Sequence, residues 1–454
     1  MQSRREFLAA SLAASAQAQS APPNIVLIYC DDLGYGDLGC YGSPIRTPNI
    51  DGLASEGIRF THFYSGNPVC SPSRASLLTG RYCVRAGVPR VYFPYDRQGM
   101  PTSEITIANV LKSAGYATQC VGKWHLGHLS PYLPTDRGFD HYFGIPYSND
   151  MSPRWLMEDA AVLEENVALD DLTPRYTERA VRFIEQSRGK PFFLYLPHTY
   201  PHIPLGASKR FRGKSPYGLY GDVIEEIDWS VGELLAALKR TGAESNTLVV
   251  FTSDNGPWFQ GSPGRLRGRK GMTWEGGQRV PMIARLPGRI PRGATCHGVA
   301  GVWDMMPTLC SLTGAKPPEV HLDGYDILPL LTGSRAEISR EAMLLFDGWD
   351  LHAARLGKWK LHVARRNHMI YSAAPPQGAM ALPIKPELYD LTTDIDESFD
   401  VAEMHPAVVE DIQSRIGRLI AAMPEPVRQA RAEVLKRETA PTATGAIPRL
   451  KPAQ

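Results

Sequence analysis

Five short stretches of this chain are apolar, or nearly so, at consecutive rather than alternate positions. No other feature limits the fold as much. They are Ile25-Val26-Leu27-Ile28-Tyr29, Thr118-Gln119-Cys120-Val121, Phe192-Phe193-Leu194-Tyr195-Leu196, Leu248-Val249-Val250-Phe251 and Met282-Ile283-Ala284-Arg285. A strand with one face in water alternates polar and apolar residues; a strand covered on both faces does not. Helical patterns lie between these runs, over 49–56, 107–114, 173–187 and 220–240. The alternation predicts the α/β class: a large, mostly parallel, doubly wound sheet flanked by helices.

A further helix is expected over 300–313, stopped by Gly314, and the stretch 323–333 closes a large domain assigned to 22–335. The pattern then changes. Residues 342–346, 352–356 and 359–363 read as meandering strands, and 387–391 then returns toward a final helix over 406–422. The expectation is a smaller C-terminal α+β domain over 336–437, with a short antiparallel sheet and one helix. The Pro/Thr/Ala-rich stretch 438–454 reads as a disordered tail. A length of 454 residues accommodates this division.

Residues 1–20 stand apart. Met1-Gln2-Ser3-Arg4-Arg5-Glu6-Phe7-Leu8 sets twin arginines before Phe-Leu, a weakly apolar run extends from Ala9 to Ala16, and Ala16-Gln17-Ala18 suits cleavage. This is the pattern of a bacterial twin-arginine export signal and predicts a periplasmic or secreted protein. A net charge of +2 argues against a nucleic-acid partner. No apolar run reaches the roughly 18 residues of a membrane span. The seven cysteines form no Cys-x-x-Cys pair. Cys30 and Cys120 lie in strand patterns and are expected in the core. An oxidising destination permits disulfides among the others without selecting pairs.

Ligands in open α/β sheets bind at the carboxyl ends of strands. The polar clusters of this chain follow the apolar runs: Asp31-Asp32, Gly122-Lys123-Trp124-His125, Pro197-His198-Thr199-Tyr200-Pro201-His202 and Ser253-Asp254-Asn255-Gly256. Either acidic pair alone would be unremarkable in a turn. Brought to one edge, Asp31, Asp32, Asp254 and Asn255 supply three carboxylates and an amide oxygen. That all-oxygen set suits one Ca2+, or less well Mg2+, rather than zinc. Lys123 and His125 can face a pocket from one loop. Lys270, in Gly268-Arg269-Lys270-Gly271-Met272-Thr273-Trp274-Glu275-Gly276-Gly277, sits among glycines where backbone can approach a ligand.

The run Cys70-Ser71-Pro72-Ser73-Arg74-Ala75-Ser76-Leu77-Leu78-Thr79-Gly80-Arg81 adds a candidate nucleophile. Proline and a helix-forming segment place Cys70 at a helix N-terminus, where N–H groups and the dipole favour anions. Arg74, one turn on, can direct a guanidinium at the same anion. A cysteine phosphatase loop would need arginine six residues after the cysteine, where this chain has Ser76.

The run resembles the Cys-x-Pro-Ser-Arg-x-x-x-Leu-Thr-Gly-Arg signature of the type I sulfatases, in the alkaline-phosphatase-like superfamily. Asp31-Asp32-Leu33-Gly34, Gly122-Lys123-Trp124-His125-Leu126-Gly127, Pro201-His202-Ile203-Pro204, Ser253-Asp254-Asn255-Gly256 and the 270–277 stretch resemble the family in the same order, across nearly the whole large domain. The resemblance implies a sulfuric ester hydrolase, arylsulfatase-like, in which a maturation enzyme converts Cys70 to formylglycine (3-oxoalanine). It implies that Asp31, Asp32, Asp254, Asn255 and modified Cys70 hold Ca2+, and that Arg74, Lys123, His125, His202 and Lys270 line the sulfate. Ser148, in Gly144-Ile145-Pro146-Tyr147-Ser148, resembles a further sulfate-binding serine. His198 matches no family role.

By the same resemblance, a hydroxyl of the hydrated aldehyde attacks sulfur and leaves a sulfated enzyme. His202, helped by Lys270, protonates the leaving alcohol, and His125 takes the proton that releases sulfate. The implied substrate is a sulfated carbohydrate, with aryl sulfates as a second class. Phosphodiesterases or phosphonate monoester hydrolases of the superfamily, and a non-catalytic binder of sulfated glycans, are the alternatives. The 364–386 stretch, with Arg365, Arg366, His368 and Tyr371, either reaches the pocket to meet an anionic sugar or is a solvated excursion.

Overall fold

The computed structural model of the chain describes residues 22–366 and 381–437. The proposed export signal, the 438–454 tail, His368 and Tyr371 lie outside them. Eleven strands build the main sheet: β1 Asn24–Cys30, β2 Ile58–Tyr64, β3 Ala117–Val121, β4 His141–Gly144, β5 Leu156–Glu158, β6 Ala161–Glu164, β7 Phe192–Pro197, β8 Thr247–Ser253, β9 Arg279–Arg285, β10 Ala294–Cys296 and β11 Ala300–Gly301. Their order is β10-β2-β9-β8-β1-β7-β3-β4-β5-β6, with β11 beside β2.

The centre is parallel: β1 pairs in parallel with β7 and β8, and β3 with β7 and β4. The flanks are not. β9 runs antiparallel to both β8 and β2, and β5 and β6 form an antiparallel margin. The Met282–Arg285 run is therefore a doubly covered strand, as expected, but not a parallel one.

Consecutive residues of the central strands feed two cores. Ile25, Leu27 and Tyr29 of β1 pack with Ala75, Leu77, Leu78, Ile107, Leu111 and Met305. Val26, Ile28 and Cys30 pack with Ile50, Leu53, Tyr176, Phe183, Ile227 and Val231 on the opposite face. Helices on both faces leave few positions where a polar side chain is tolerated, so the runs are apolar or nearly so. The expected helices are present over Pro48–Ser55, Ile107–Ser113, Leu172–Gln186 and Gly218–Thr241. The 300–313 helix begins later than expected, at Met305, because 300–301 is strand β11 and 302–304 a short 3-10 turn; Gly314 ends it with φ +75°.

The second sheet is antiparallel, in the order β12 Met343–Asp347, β13 Asp350–Leu356, β14 Trp359–Arg366 and β15 Ala381–Asp390. Its apolar side continues one of the two main cores through Leu344, Phe346, Ala353 and Leu361. Two helices, Pro406–Ala421 and Glu425–Leu435, follow instead of one. Arg365 and Arg366 belong to β14 rather than to a loop, and they pair with Glu387 and Asp347. All seven cysteines are free thiols, and Cys30 and Cys120 are core residues.

Candidate active site

Strands β8, β1, β7 and β3 are neighbours in that order, and their carboxyl ends share one edge. Register puts Cys30 opposite Ser253 and Tyr29 opposite Pro197. The residues after each strand are tied across that edge: Asp254 N–H donates to the Cys30 carbonyl at 3.0 Å, Lys123 N–H to Pro197 at 2.8 Å and Asp31 N–H to Tyr200 at 3.1 Å. Asp32 and His125 have φ of +64° and +61°, a conformation that non-glycine residues adopt at a cost and that concentrates at functional sites.

Cys70 is the first residue of the buried helix Cys70–Thr79, which Gly80 ends in the left-handed conformation. Its Sγ donates to Asp31 Oδ1 at 3.4 Å and lies 3.6 Å from Lys270 Nζ. Burial and then the Asp31 charge push the thiol far above its ordinary range. A thiol held neutral in this way is a poor nucleophile despite the helix N-terminus.

Arg74 is fully buried. Its Nη2 lies 2.7 Å from Asp254 Oδ2 and 3.7 Å from Asp31, and its Nη1 donates to the Lys123 carbonyl at 2.9 Å. The sequence suggested a guanidinium turned toward a substrate anion; in the structure Nη2 meets the acidic cluster and Nη1 the Lys123 backbone. Lys123 Nζ pairs with Asp31 and donates to Ser148 Oγ at 3.1 Å. Lys270 Nζ donates to Asp32 Oδ2 at 2.8 Å. Burial alone would raise Asp31, but Lys123, His202, Arg74 and Lys270 outweigh it and hold this carboxyl well below its usual range. Burial and Asp31 push Asp254 up to about 7, against the pull of Arg74. Burial disfavours the charge on Lys270, yet Asp32 and its neighbours keep the ammonium strongly protonated.

The donor set fits a hard divalent cation. Donor atoms of Asp31, Asp32, Cys70 and His202 lie within 4.8 Å of one another. Asp254 joins them through the Asp32 N–H, which donates to its Oδ1 at 3.1 Å. Asn255 Nδ2 donates to Asp32 Oδ1 at 2.7 Å, while its buried Oδ1 has no hydrogen-bond partner among the described residues. A buried acceptor that no donor satisfies, set beside three carboxylates, suits ligation of such a cation.

The two histidines differ. His125 Nε2 lies 2.9 Å from the Tyr92 carbonyl and Nδ1 has no hydrogen-bond partner among the described residues. A carbonyl only accepts, so the neutral ring carries its proton on Nε2 and presents a lone pair at Nδ1. Burial, then Lys123 and Arg74, hold its pKa well below 6.5. His202 Nε2 is 3.8 Å from Asp32 Oδ2 while Nδ1 contacts the Ile203 carbonyl. Burial, then Lys270, lowers its pKa, and Asp32 opposes them. His198 faces away, with Nε2 3.4 Å from Ser230 Oγ.

The Lys270 loop is sewn to both motifs it serves: Gly271 N–H donates to Pro68 at 2.9 Å, and Lys270 N–H to Pro257 at 3.1 Å. Gly277 closes it, since a Cβ there would lie 1.9 Å from the Met272 carbonyl. Two features escaped sequence reasoning. Tyr92 acts through its backbone, its N–H donating to Ser71 Oγ at 3.2 Å and its carbonyl orienting His125, and no side-chain pattern announces that. Glu275, Lys360 and Glu397 form a buried ion cluster behind the Lys270 loop, although only Glu275 lies in a recognisable motif.

Residues 23–315 match the family described as Sulfatase, and residues 339–448 match the C-terminal region of aryl-sulfatase. Arylsulfatase A of Homo sapiens is 39% identical over 433 residues, covering 86% of this chain and 85% of the relative. N-acetylgalactosamine-6-sulfatase of Rattus norvegicus is 42% identical over 376 residues, covering 75% and 71%. Among solved structures, a sulfatase from Pseudoalteromonas sp. superposes with a TM-score of 0.79 at 28% identity, covering 91% of this chain and 93% of that one.

Proposed function

Because the chain belongs to the sulfatase family and is a sulfuric ester hydrolase, we propose that Cys70 and the acidic and basic groups around it are its active site. One observation carries the reading. Four adjacent strand ends, one helix start and the Lys270 loop bring Asp31, Asp32, Asp254, Asn255, Cys70, Arg74, Lys123, His125, His202 and Lys270 to one edge. Asp31, Asp32, Asp254 and Asn255, with residue 70, would hold one Ca2+, which when bound supplies positive charge for an anionic oxygen and for the sulfate. Cys70 would act as formylglycine, whose hydrate supplies the hydroxyl nucleophile that the neutral thiol cannot.

The remaining steps fall to side chains of the chain itself. Lys123, Ser148 and Lys270 bind the sulfate oxygens, two of them with positive charge that attracts the developing negative charge more strongly as the S–O bond breaks. Arg74 holds Asp254 and the Lys123 backbone in place. His125 accepts a proton at Nδ1, the nitrogen left free by Tyr92. His202 Nε2 delivers a proton to the leaving oxygen only as the imidazolium, which Asp32 favours; Lys270 carries its proton throughout.

The substrate is a sulfated carbohydrate, with aryl sulfates as a second class. The aryl and amino-sugar sulfatase names of the relatives support this. So does an aromatic pair on the loop that Tyr92 anchors. The rings of Phe93 and Tyr95 stack 5.3 Å apart at 6°, and Tyr95 is 75% exposed, a surface suited to the apolar face of a ring. Export through the twin-arginine signal would deliver the enzyme to the periplasm or medium, already folded and matured. Among the described residues no helix is long and apolar enough to cross a membrane.

Peptide mass spectrometry tests the centre of this reading. In active protein made alongside a maturation enzyme, the peptide containing residue 70 should have lost sulfur and gained oxygen, and Cys70→Ala should abolish turnover with the fold intact. Full activity in protein carrying an unmodified thiol would overturn it.

A further inference from the structure

We propose that Glu397, in the C-terminal region, is a positioning residue for Lys270: it grips both stems of the loop that carries the lysine. The inference rests on Lys270 acting at the site as proposed above.

The loop leaves the protein body at Arg267 and returns at Glu275. At the first stem, Arg267 Nη1 donates to the Glu397 carbonyl at 2.7 Å. At the second, the Glu275 N–H donates to Glu397 Oε2 at 2.7 Å. One residue more than a hundred positions away therefore fixes the separation of the two stems. The stems also meet directly, through Gly276 N–H and the Arg267 carbonyl at 2.6 Å. At the tip, Lys270 Nζ reaches Asp32 at 2.8 Å.

Glu397 is itself held from the second sheet. Its Oε1 lies 2.7 Å from His362 Nε2 and 3.0 Å from Lys360 Nζ, and Lys360 also reaches Glu275 Oε1 at 2.9 Å. Glu275 Oε2 in turn accepts from Tyr64 OH at 2.6 Å and faces Arg279 at 3.3 Å and Arg355 at 4.0 Å. Trp274, at the end of the loop, packs on the His362 ring at 4.3 Å, under the Arg267 guanidinium at 3.8 Å.

Two features make a purely cohesive role a poor account of this cluster. Buried ion pairs hold elements together no better than apolar side chains of similar size. Glu397 also has φ of +50° while fully buried, a strain that persists only where the surroundings fix the residue's exact geometry. What charge and strain provide here is direction. The Oε2 and the carbonyl of one residue point at opposite ends of a loop whose tip must place an ammonium to within about 1 Å, the displacement that costs an enzyme on the order of 100-fold in rate.

The test uses the full-length matured enzyme and four proteins: wild type, Glu397→Ala, Lys270→Ala and the double variant. Glu397→Ala should lower kcat about 10- to 100-fold while KM changes much less. In the Lys270→Ala background it should add no further loss. Glu397→Gln, which keeps an acceptor for the Glu275 N–H, should recover most of kcat. If the alanine variant fails to fold, Glu397→Asp, whose shorter arm falls short of the Glu275 N–H, is the probe: amide hydrogen exchange over 268–274 should be faster in it than in wild type. Independent, multiplying losses in the double variant, or unchanged exchange over 268–274, would overturn the clamp while leaving Lys270 in its role. If Lys270→Ala turned over like wild type, the role of Lys270 would fall, and the clamp with it.

Discussion

Replacing Arg74 by methionine should make this protein's stability depend on calcium and on pH. The guanidinium lies 2.7 Å from Asp254 and 3.7 Å from Asp31, and all three side chains are fully buried. Methionine fills much of the volume but leaves a carboxylate without its cation. Breaking a buried pair from one side costs about 3–5 kcal/mol, because the surviving charge is desolvated and unpaired. Two additions relieve the cost. A divalent cation held by the same carboxylates replaces the lost charge, and at 100 times its dissociation constant contributes about 2.7 kcal/mol. Protonation is the other. Asp254 already titrates at about 7 in the wild type, since burial and Asp31 oppose its ionisation, and losing Arg74 moves it higher. A carboxyl whose folded pKa is raised destabilises the fold increasingly as pH climbs through that value. The Arg74→Met deficit should therefore be greatest above pH 7 and shrink toward pH 5. Urea unfolding followed by tryptophan fluorescence, with chelator and with millimolar calcium at both pH values, measures this. A variant that unfolds at the wild-type midpoint in chelator at pH 8 would refute the reasoning. Arg74→Lys restores charge without the two-point hold and should recover only part of the loss.

Removing His125 should cost about 100- to 10,000-fold in kcat if its Nδ1 is the general base. Because its pKa lies well below 6.5, the ratio of wild type to His125→Ala should stay constant from pH 5 to 8 in rate profiles; a ratio falling toward one near pH 6 would contradict the assignment. His202→Ala and Lys270→Ala separate the proton donors. The variant lacking the true acid should lose far more rate on an alkyl sulfate than on a nitrophenyl sulfate, whose leaving group needs no proton. Equal losses on both substrates would remove that residue from the acid role.

Legibility in the sequence tracked the number of faces covered. Strands β1, β7 and β8, buried at every position but Asn24, stand out as apolar runs. Strand β2 does not, because Arg59, Thr61 and His62 occupy its partly exposed positions. Strand β6 is exposed at every position and carries no signal. The Glu425–Leu435 helix follows Pro424 and contains Pro426 in its first turn, which disguised its start. In the site, residue type after a strand was enough to name the acidic, basic and histidine groups. It was not enough to show that Arg74 faces Asp254, that the Tyr92 carbonyl sets the His125 tautomer, or that Glu397 meets both ends of the Lys270 loop. Each of these is a contact between distant segments, and nothing local in the sequence encodes it.

Charge count then says something about substrate. Asp31, Asp32 and Asp254 stand against Arg74, Lys123 and Lys270, three and three, all at least nine-tenths buried. Loaded with a divalent cation, such a cluster carries an excess of two. A sulfate monoester brings one negative charge and leaves the second to be matched by the charge that develops at residue 70, so the cluster is more complementary to the transition state than to the bound ester. A phosphate monoester dianion satisfies both charges on binding and leaves nothing to be gained in the transition state. Phosphate monoesters and inorganic phosphate should accordingly bind and inhibit, with competitive kinetics, while turning over slowly or not at all. A phosphate monoester hydrolysed faster than the matching sulfate would show that the cluster's charge does not select the reaction.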